Sequence, residues 1–180
     1  MKSEKIIGIM GAMNEEINSI LKLMTAVEEF TYGRRTYYTG FINGTKSVVV
    51  FSRWGKVAAA STVTSLIIKF NITDLIFIGV AGAINPALKI GDIVIADQLV
   101  QHDMDARPLM DRYEIPLLGV TYFKPDSNLM AIAEKAIHEI IGNQARPFIG
   151  QDERDRFSLT NPELHKGSIA SGDKFFARSK

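Results

Sequence analysis

Strand-length apolar runs separated by helix-length amphipathic segments constrain this chain more than any other feature. Ile6-Ile7-Gly8-Ile9-Met10 follows Lys5, gives way at once to Asn14-Glu15-Glu16, and is too short for a signal-peptide core. Leu75-Ile76-Phe77-Ile78-Gly79-Val80 is again strand-length, well short of the roughly 20 residues a membrane-spanning helix requires. Between them, Lys56 to Phe70 reads as a helix with Val57, Ala60, Val63, Thr64 and Ile67 on its apolar face. Alternation of this kind predicts an α/β fold in layers, a central mixed sheet flanked by helices.

The intervening segments fit the same plan. A first helix is expected from Asn14, with Ile17, Ile20, Leu21 and Met24 as one buried stripe. Arg35 to Ile42 and Lys46 to Ser52 read as a hairpin, because Asn43-Gly44 tolerates the two positive φ angles of a tight I′ turn. Leu88-Lys89-Ile90-Gly91-Asp92 turns into a strand over Ile93 to Ala96. A last helix starts at Asp126, an acceptable N-cap, and buries Leu129, Ala133, Ala136, Ile137 and Ile140. Residues 143–165 lose the pattern and read as a charged surface insertion, after which Gly167 to Asp173 forms a short strand ending in a glycine turn. At about 100 to 200 residues per domain, 180 residues predict one domain, 1–180.

Composition narrows the function. With 21 basic against 20 acidic side chains there is no overall field to draw nucleic acid or anionic lipid. No cysteine is present, which excludes disulfide-stapled folds and thiol-based metal or redox sites. A cytoplasmic protein without membrane or nucleic-acid partners is expected.

Four stretches carry chemistry. In Gly8 to Glu16 a strand passes through small residues into a helix start, yet Glu15 and Glu16 stand where a phosphate would want Lys or Arg, and the glycine spacing is neither a P-loop nor a dinucleotide fingerprint. Glu15 fits plain stabilisation of the helix dipole. Glu16 lies one helical turn from Ile20 and leans to the apolar side at the carboxyl end of a strand, where α/β crevices open, so it is a candidate general base as well as a helix cap. Gly79-Val80-Ala81-Gly82 permits close backbone approach by a ligand, or is simply a crowded turn. Ser171-Gly172-Asp173-Lys174-Phe175-Phe176 offers two aromatics and free backbone groups, as a purine base requires, although paired phenylalanines are usually core. Gln101-His102-Asp103-Met104-Asp105 reads as a strand-end hydrogen-bond network in preference to a metal site, since His138 and His165 look like helix-surface and loop residues.

Together these stretches resemble the bacterial 5′-methylthioadenosine/S-adenosylhomocysteine nucleosidases of the purine nucleoside phosphorylase superfamily. Six blocks carry the likeness in order: Gly8 to Glu16, Gly55-Lys56-Val57-Ala58-Ala59, Gly79 to Gly82, Leu88 to Asp92, His102 to Asp105, and Ser171 to Phe175. The resemblance implies a three-layer nucleoside phosphorylase-like fold and hydrolysis of the N-glycosidic bond of adenine thioribosides, with no cofactor and no metal. It implies that Glu16 activates the attacking water, that Gly82 with Val80 and Ala81 touches the nucleoside, that Phe175 stacks on adenine and that the backbone of Phe176 pairs with its edge. It further implies a homodimer whose partner chain completes the site through Ala106, Leu109 and Pro116 or Leu117. The related phosphorylases hold phosphate with arginines, at places here occupied by Met13 to Glu16 and by Phe77. An acidic first loop suits water over phosphate as the nucleophile.

This sequence also departs from the family. Arg53 and Trp54 replace small residues near the expected sugar region, the 143–165 insertion is long, and Phe176 stands for a more usual aliphatic residue. The family continues with a Val-Glu-Met-Glu segment that holds the ribose hydroxyls and an Arg-x-x-Ser-Asp segment whose aspartate protonates adenine; neither occurs in these 180 residues. A chain roughly 50 or more residues longer is therefore expected, and a polypeptide ending at Lys180 is expected to be nearly inactive. Two alternatives remain: hydrolysis of 6-amino-6-deoxyfutalosine, and a nucleoside-binding paralogue without catalysis.

Overall fold

The computed structural model describes residues 4–144, 151–159 and 161–174. Two compact units make up the chain, Met1–Ala81 and Gly82–Lys180.

The first unit is built around β1 (Ile6–Gly11), which lies in parallel between β4 (Thr45–Phe51) and β5 (Asp74–Ile78). A strand paired on both edges and covered on both faces has no polar side, which is why its sequence is a continuous apolar run. The sheet order is β2-β3-β4-β1-β5, with β2 (Thr25–Tyr32) and β3 (Arg35–Ile42) antiparallel on one side. β3 and β4 form the expected hairpin, and Asn43 and Gly44 have φ of +48° and +75°. β2 is an element the sequence did not announce. It is an edge strand exposed along its whole length, carrying Glu28 and Glu29 and a register irregularity after Thr25, so it lacks the alternation that marks a half-buried strand.

Helices cover both faces of this sheet. On one, Ile6, Met10, Tyr37, Val48 and Val50 pack with Leu66 of α2 (Lys56–Phe70); on the other, Ile9 and Val49 pack with Ile17 of α1 (Asn14–Leu21) and with Met24. Val48, Val49 and Val50 thus serve alternate faces, as the period of a strand requires. The α1 stripe falls where its spacing places it. The α2 stripe does so only at Val63: it faces the sheet with Ala59, Thr62, Leu66 and Phe70, whereas Val57, Ala60, Thr64 and Ile67 are exposed. α2 is apolar on more than one side, so periodicity alone could not choose its buried face.

The second unit has a three-stranded sheet, β7-β6-β8, in which β6 (Ile93–Gln101) pairs antiparallel with β7 (Tyr122–Phe123) and parallel with β8 (Leu164–Ser171). β6 runs to Gln101, beyond the expected Ala96: the polar Asp97, Gln98 and Gln101 interrupt the apolar pattern, and the pairing with β8 resumes at Gln98 after a register irregularity at Asp97. Asp92 ties the turn at its head: its carboxylate accepts N–H bonds from Lys89 at 2.8 Å and Glu163 at 2.9 Å. Those two amides hold the Asp92 carboxyl below its ordinary value. His165, expected in a loop, lies in β8 with Nε2 3.4 Å from the Asp92 carboxylate.

Asp126 caps α3 (Ser127–Gln144) as expected, its Oδ1 accepting from the N–H groups of Asn128 and Leu129 at 2.9 Å each. Leu129, Ala133 and Ile137 are half-buried, but Ala136 and Ile140 of the expected stripe are exposed. Within 143–165, read as a patternless insertion, Gln151–Phe157 forms a further helix, α4. Its residues are almost all charged or polar, which hides a helix from any search for apolar periodicity.

Candidate functional site

Parallel pairing of β1 with β5 sets the geometry of the site. Gly11 is in register with Ile78, so the chain leaving β5 through Gly79 and Val80 runs beside the turn Gly11-Ala12-Met13 that opens α1. Glu16, in the first turn of α1, closes the gap. Its Oε2 accepts the N–H groups of Ala12 at 2.6 Å and Met13 at 2.8 Å, and its Oε1 accepts that of Val80 at 3.1 Å. The bond from Met13 N–H is the ordinary reach of a glutamate in the first turn back to its helix cap; the bond from Val80 N–H goes beyond that role and ties the half-buried carboxylate to a second strand end.

Two glycines make room for it. A Cβ on Gly11 would lie 3.2 Å from Glu16 Oε2, and one on Gly79 only 3.0 Å from Oε1. Gly79→Ala therefore displaces the carboxylate without burying or exposing much surface. A reaction that uses the Glu16 carboxylate as its base is expected to slow at least tenfold in this variant while the thermal midpoint changes little, since small misplacements of a reacting group cost rate steeply. A rate equal to the parent's would show that the position of the Glu16 carboxylate is unimportant.

The other expected residues divide by unit. Val80 is 79% exposed, and Ala81 is exposed beside it in the first unit. In the second, Gly82 is exposed, with open space where a side chain would stand. Phe175 and Phe176 lie outside the described residues, but the turn that leads to them is well defined. His102 N–H donates to the Ser171 carbonyl at 3.0 Å, the Asp103 carboxylate accepts from Asp173 N–H at 3.0 Å, and Gly172 sits where any Cβ would collide with the His102 imidazole and the Asp103 carboxylate. This is the strand-end network expected of His102 to Asp105. Asp105 turns away from it, bound in bidentate fashion by Arg107 at 2.9 and 2.6 Å, and the guanidinium holds its carboxyl down to about 2. Beyond it, Ala106 is half-buried, Pro116 is exposed and Leu109 is 86% exposed.

Sequence reasoning missed a second feature of the first unit. Asn14, Arg34, Arg35, Thr36, Tyr38, Phe51 and Arg53 line a recess of about 150 Å³. Arg53 was conspicuous in the sequence, but Arg34 and Arg35 were not, although two arginines directly after Gly33 at a strand turn were the available signal.

Among the described residues no group of three His, Asp or Glu side chains is placed to hold a metal ion, and no helix is long and apolar enough to cross a membrane.

A mixed sheet layered with helices, and a carboxylate held at the carboxyl ends of parallel strands, define the class. Residues 6–180 match the family model of the phosphorylase superfamily, and the chain belongs to that superfamily. Within it, the chain is 33% identical over 174 residues to the aminodeoxyfutalosine nucleosidase of Helicobacter pylori strain J99, covering 94% of this chain and 65% of that one. It is 38% identical over 144 residues to the 5′-methylthioadenosine/S-adenosylhomocysteine nucleosidase of Marinomonas sp. MWYL1, covering 78% and 61%. Among solved structures, a 5′-methylthioadenosine/S-adenosylhomocysteine nucleosidase from Colwellia psychrerythraea 34H in complex with adenine superposes with a TM-score of 0.81 at 28% identity, over 96% of this chain and 64% of that one. The fold expected from the sequence is thus the fold of these proteins. The chain spans about 65% of the length of the first of these relatives.

Proposed function

We propose that this protein hydrolyses the N-glycosidic bond of 5′-substituted adenine nucleosides, 5′-methylthioadenosine and S-adenosylhomocysteine, releasing adenine and the thioribose. The observation that carries the reading is the Glu16 carboxylate, fixed by three backbone N–H groups at the joined ends of β1 and β5. A carboxylate offers about four lone-pair positions, so three amides orient it and one remains for the O–H of a water. As the bond between ribose C1′ and adenine N9 breaks, its electron pair leaves with adenine and positive charge builds on the sugar. A carboxylate there stabilises that charge and takes the proton of the attacking water, whose hydroxyl bonds to C1′; adenine gains a proton as it leaves, and the carboxylate returns its own to solvent. The acidic start of α1 and the phenylalanine at position 77, where phosphorylases place an arginine, support water over phosphate as the nucleophile.

On this reading residues 1–180 contribute one nucleosidase domain, Val80, Ala81 and Gly82 line the nucleoside, and Phe175 and Phe176 hold the base. The protein works in the cytoplasm, in methionine salvage and recycling of the methyl cycle. A homodimer completes the site through Ala106, Leu109 and Pro116, and the exposed Leu109, Leu117 and Leu118 of that segment supply the apolar surface such an interface needs. The relatives bear both substrate names, so hydrolysis of aminodeoxyfutalosine is the second reading. Adenine release from each nucleoside by the native protein in phosphate-free buffer tests the proposal: release from methylthioadenosine or S-adenosylhomocysteine supports it, and release from neither overturns it.

A further inference from the structure

The recess beside Asn14 has the chemistry of an anion site. Arg35 is its fixed wall: its guanidinium donates to the carbonyls of Gly33 at 3.0 Å, Ser52 at 3.1 Å and Ala58 at 3.3 Å, and to Ser61 Oγ at 3.0 Å. Arg34 and Arg53 are presented from backbone in the left-handed region, φ +62° and +70°, a conformation that side chains with a β-carbon disfavour and that concentrates at functional sites. Arg53 Nη2 donates to the Arg34 carbonyl at 2.6 Å, which locks the two strained residues together. Among the described residues no carboxylate pairs with any of the three guanidiniums, and none lines the recess.

Its position relative to Glu16 follows from the sheet. Asn14 and Glu16 are two residues apart in α1, hence about 200° around the helix, so they flank the same first turn on opposite sides. Glu16 reaches toward β5; the recess lies over β4 and β3, the second and third strands from β5. At about 4.8 Å between strands that separation is roughly 10 to 14 Å. From ribose C1′ to the terminal carboxylate of S-adenosylhomocysteine is eight bonds, roughly 10 Å extended. The 5′ substituent of aminodeoxyfutalosine also ends in a carboxylate, whereas that of methylthioadenosine ends in a methyl group.

We propose that Arg34 and Arg53 form a subsite for the carboxylate at the far end of the 5′ substituent, so that the protein selects acid-tailed adenine nucleosides over methylthioadenosine. This rests on the nucleosidase reading and names the substrate class within it. Planar guanidinium forks suit bidentate capture of a carboxylate, and at a half-open site such bonds are stronger than neutral ones.

The test compares Arg34→Gln and Arg34→Lys with the parent protein on S-adenosylhomocysteine and methylthioadenosine. Arg34 is the cleaner position because the Arg53 side chain also supports the turn. In Arg34→Gln the ratio of kcat/KM for S-adenosylhomocysteine to that for methylthioadenosine falls about tenfold; Arg34→Lys restores part of it; and acetate, a free carboxylate, competes with the acid-tailed nucleoside alone. A ratio unchanged in Arg34→Gln, or an equal loss on both substrates, overturns the subsite. So does a sugar 1-phosphate product in phosphate buffer, which would make the recess a nucleophile site. If the parent releases adenine from neither nucleoside the hydrolase reading fails, and the subsite is then judged by the ratio of the two Kd values from calorimetric titration, which must still fall in Arg34→Gln.

Discussion

Glu16→Gln is expected to lower adenine release about a thousandfold, within the range of 10² to 10⁴ that a positioned general base supplies. The substitution keeps the size of the side chain and one oxygen. That oxygen can still accept from Ala12 and Met13, whereas the new amide would set a donor against the N–H of Val80, now 3.1 Å from Oε1. The structural cost is one hydrogen bond to a charged group and one favourable charge at a helix start, together about 2 kcal/mol. A folded protein with almost no turnover is therefore the expected phenotype, read by comparing kcat with the thermal midpoint. Glu16 acting only as a cap predicts the same modest fall in midpoint, with activity within tenfold of the parent.

The largest effect on stability is expected at Leu66. It is 0% exposed and packs against Ile6, Met10, Tyr37, Val48 and Val50 across the α2 face of the sheet, with Cδ1 3.5 Å from where a Cβ on Gly8 would stand. Leu66→Ala removes buried methyl groups from a layer closed by strands that cannot collapse inward. About 3 kcal/mol of stability should go, against under 1 kcal/mol for Ile67→Ala, whose side chain is 54% exposed. Urea midpoints of the two variants measure the difference. Equal losses would mean that α2 presents a different face to the sheet.

That pair of residues also shows where sequence reasoning stops. In α1 polar residues leave a single apolar stripe, which buries Ile17, and Met24 is buried beside it although the helix ends at Leu21; in α2 apolar residues surround the helix, and only the strands opposite it select Leu66 over Ile67. The turn at Asn43-Gly44 was legible because its chemistry is local. β2 and α4 were not, since edge strands and charged helices bury too little to write a pattern. In the site, the small residues Gly11 and Ala12 and the position of Glu16 at a helix start are visible in the chain. Its third hydrogen bond is to Val80, 64 residues away, and depends on the pairing of β1 with β5. The arginine recess was hidden for the same reason: residues 34, 35 and 53 meet only once β3 and β4 are paired and two backbones enter the left-handed region.

The most direct test of the central reading is the identity of the sugar formed when the native protein meets methylthioadenosine or S-adenosylhomocysteine in phosphate buffer. Water activated by Glu16 predicts adenine and the free thioribose in equal amounts, at a rate indifferent to phosphate. A thioribose 1-phosphate, or no adenine at all from either nucleoside, would contradict it.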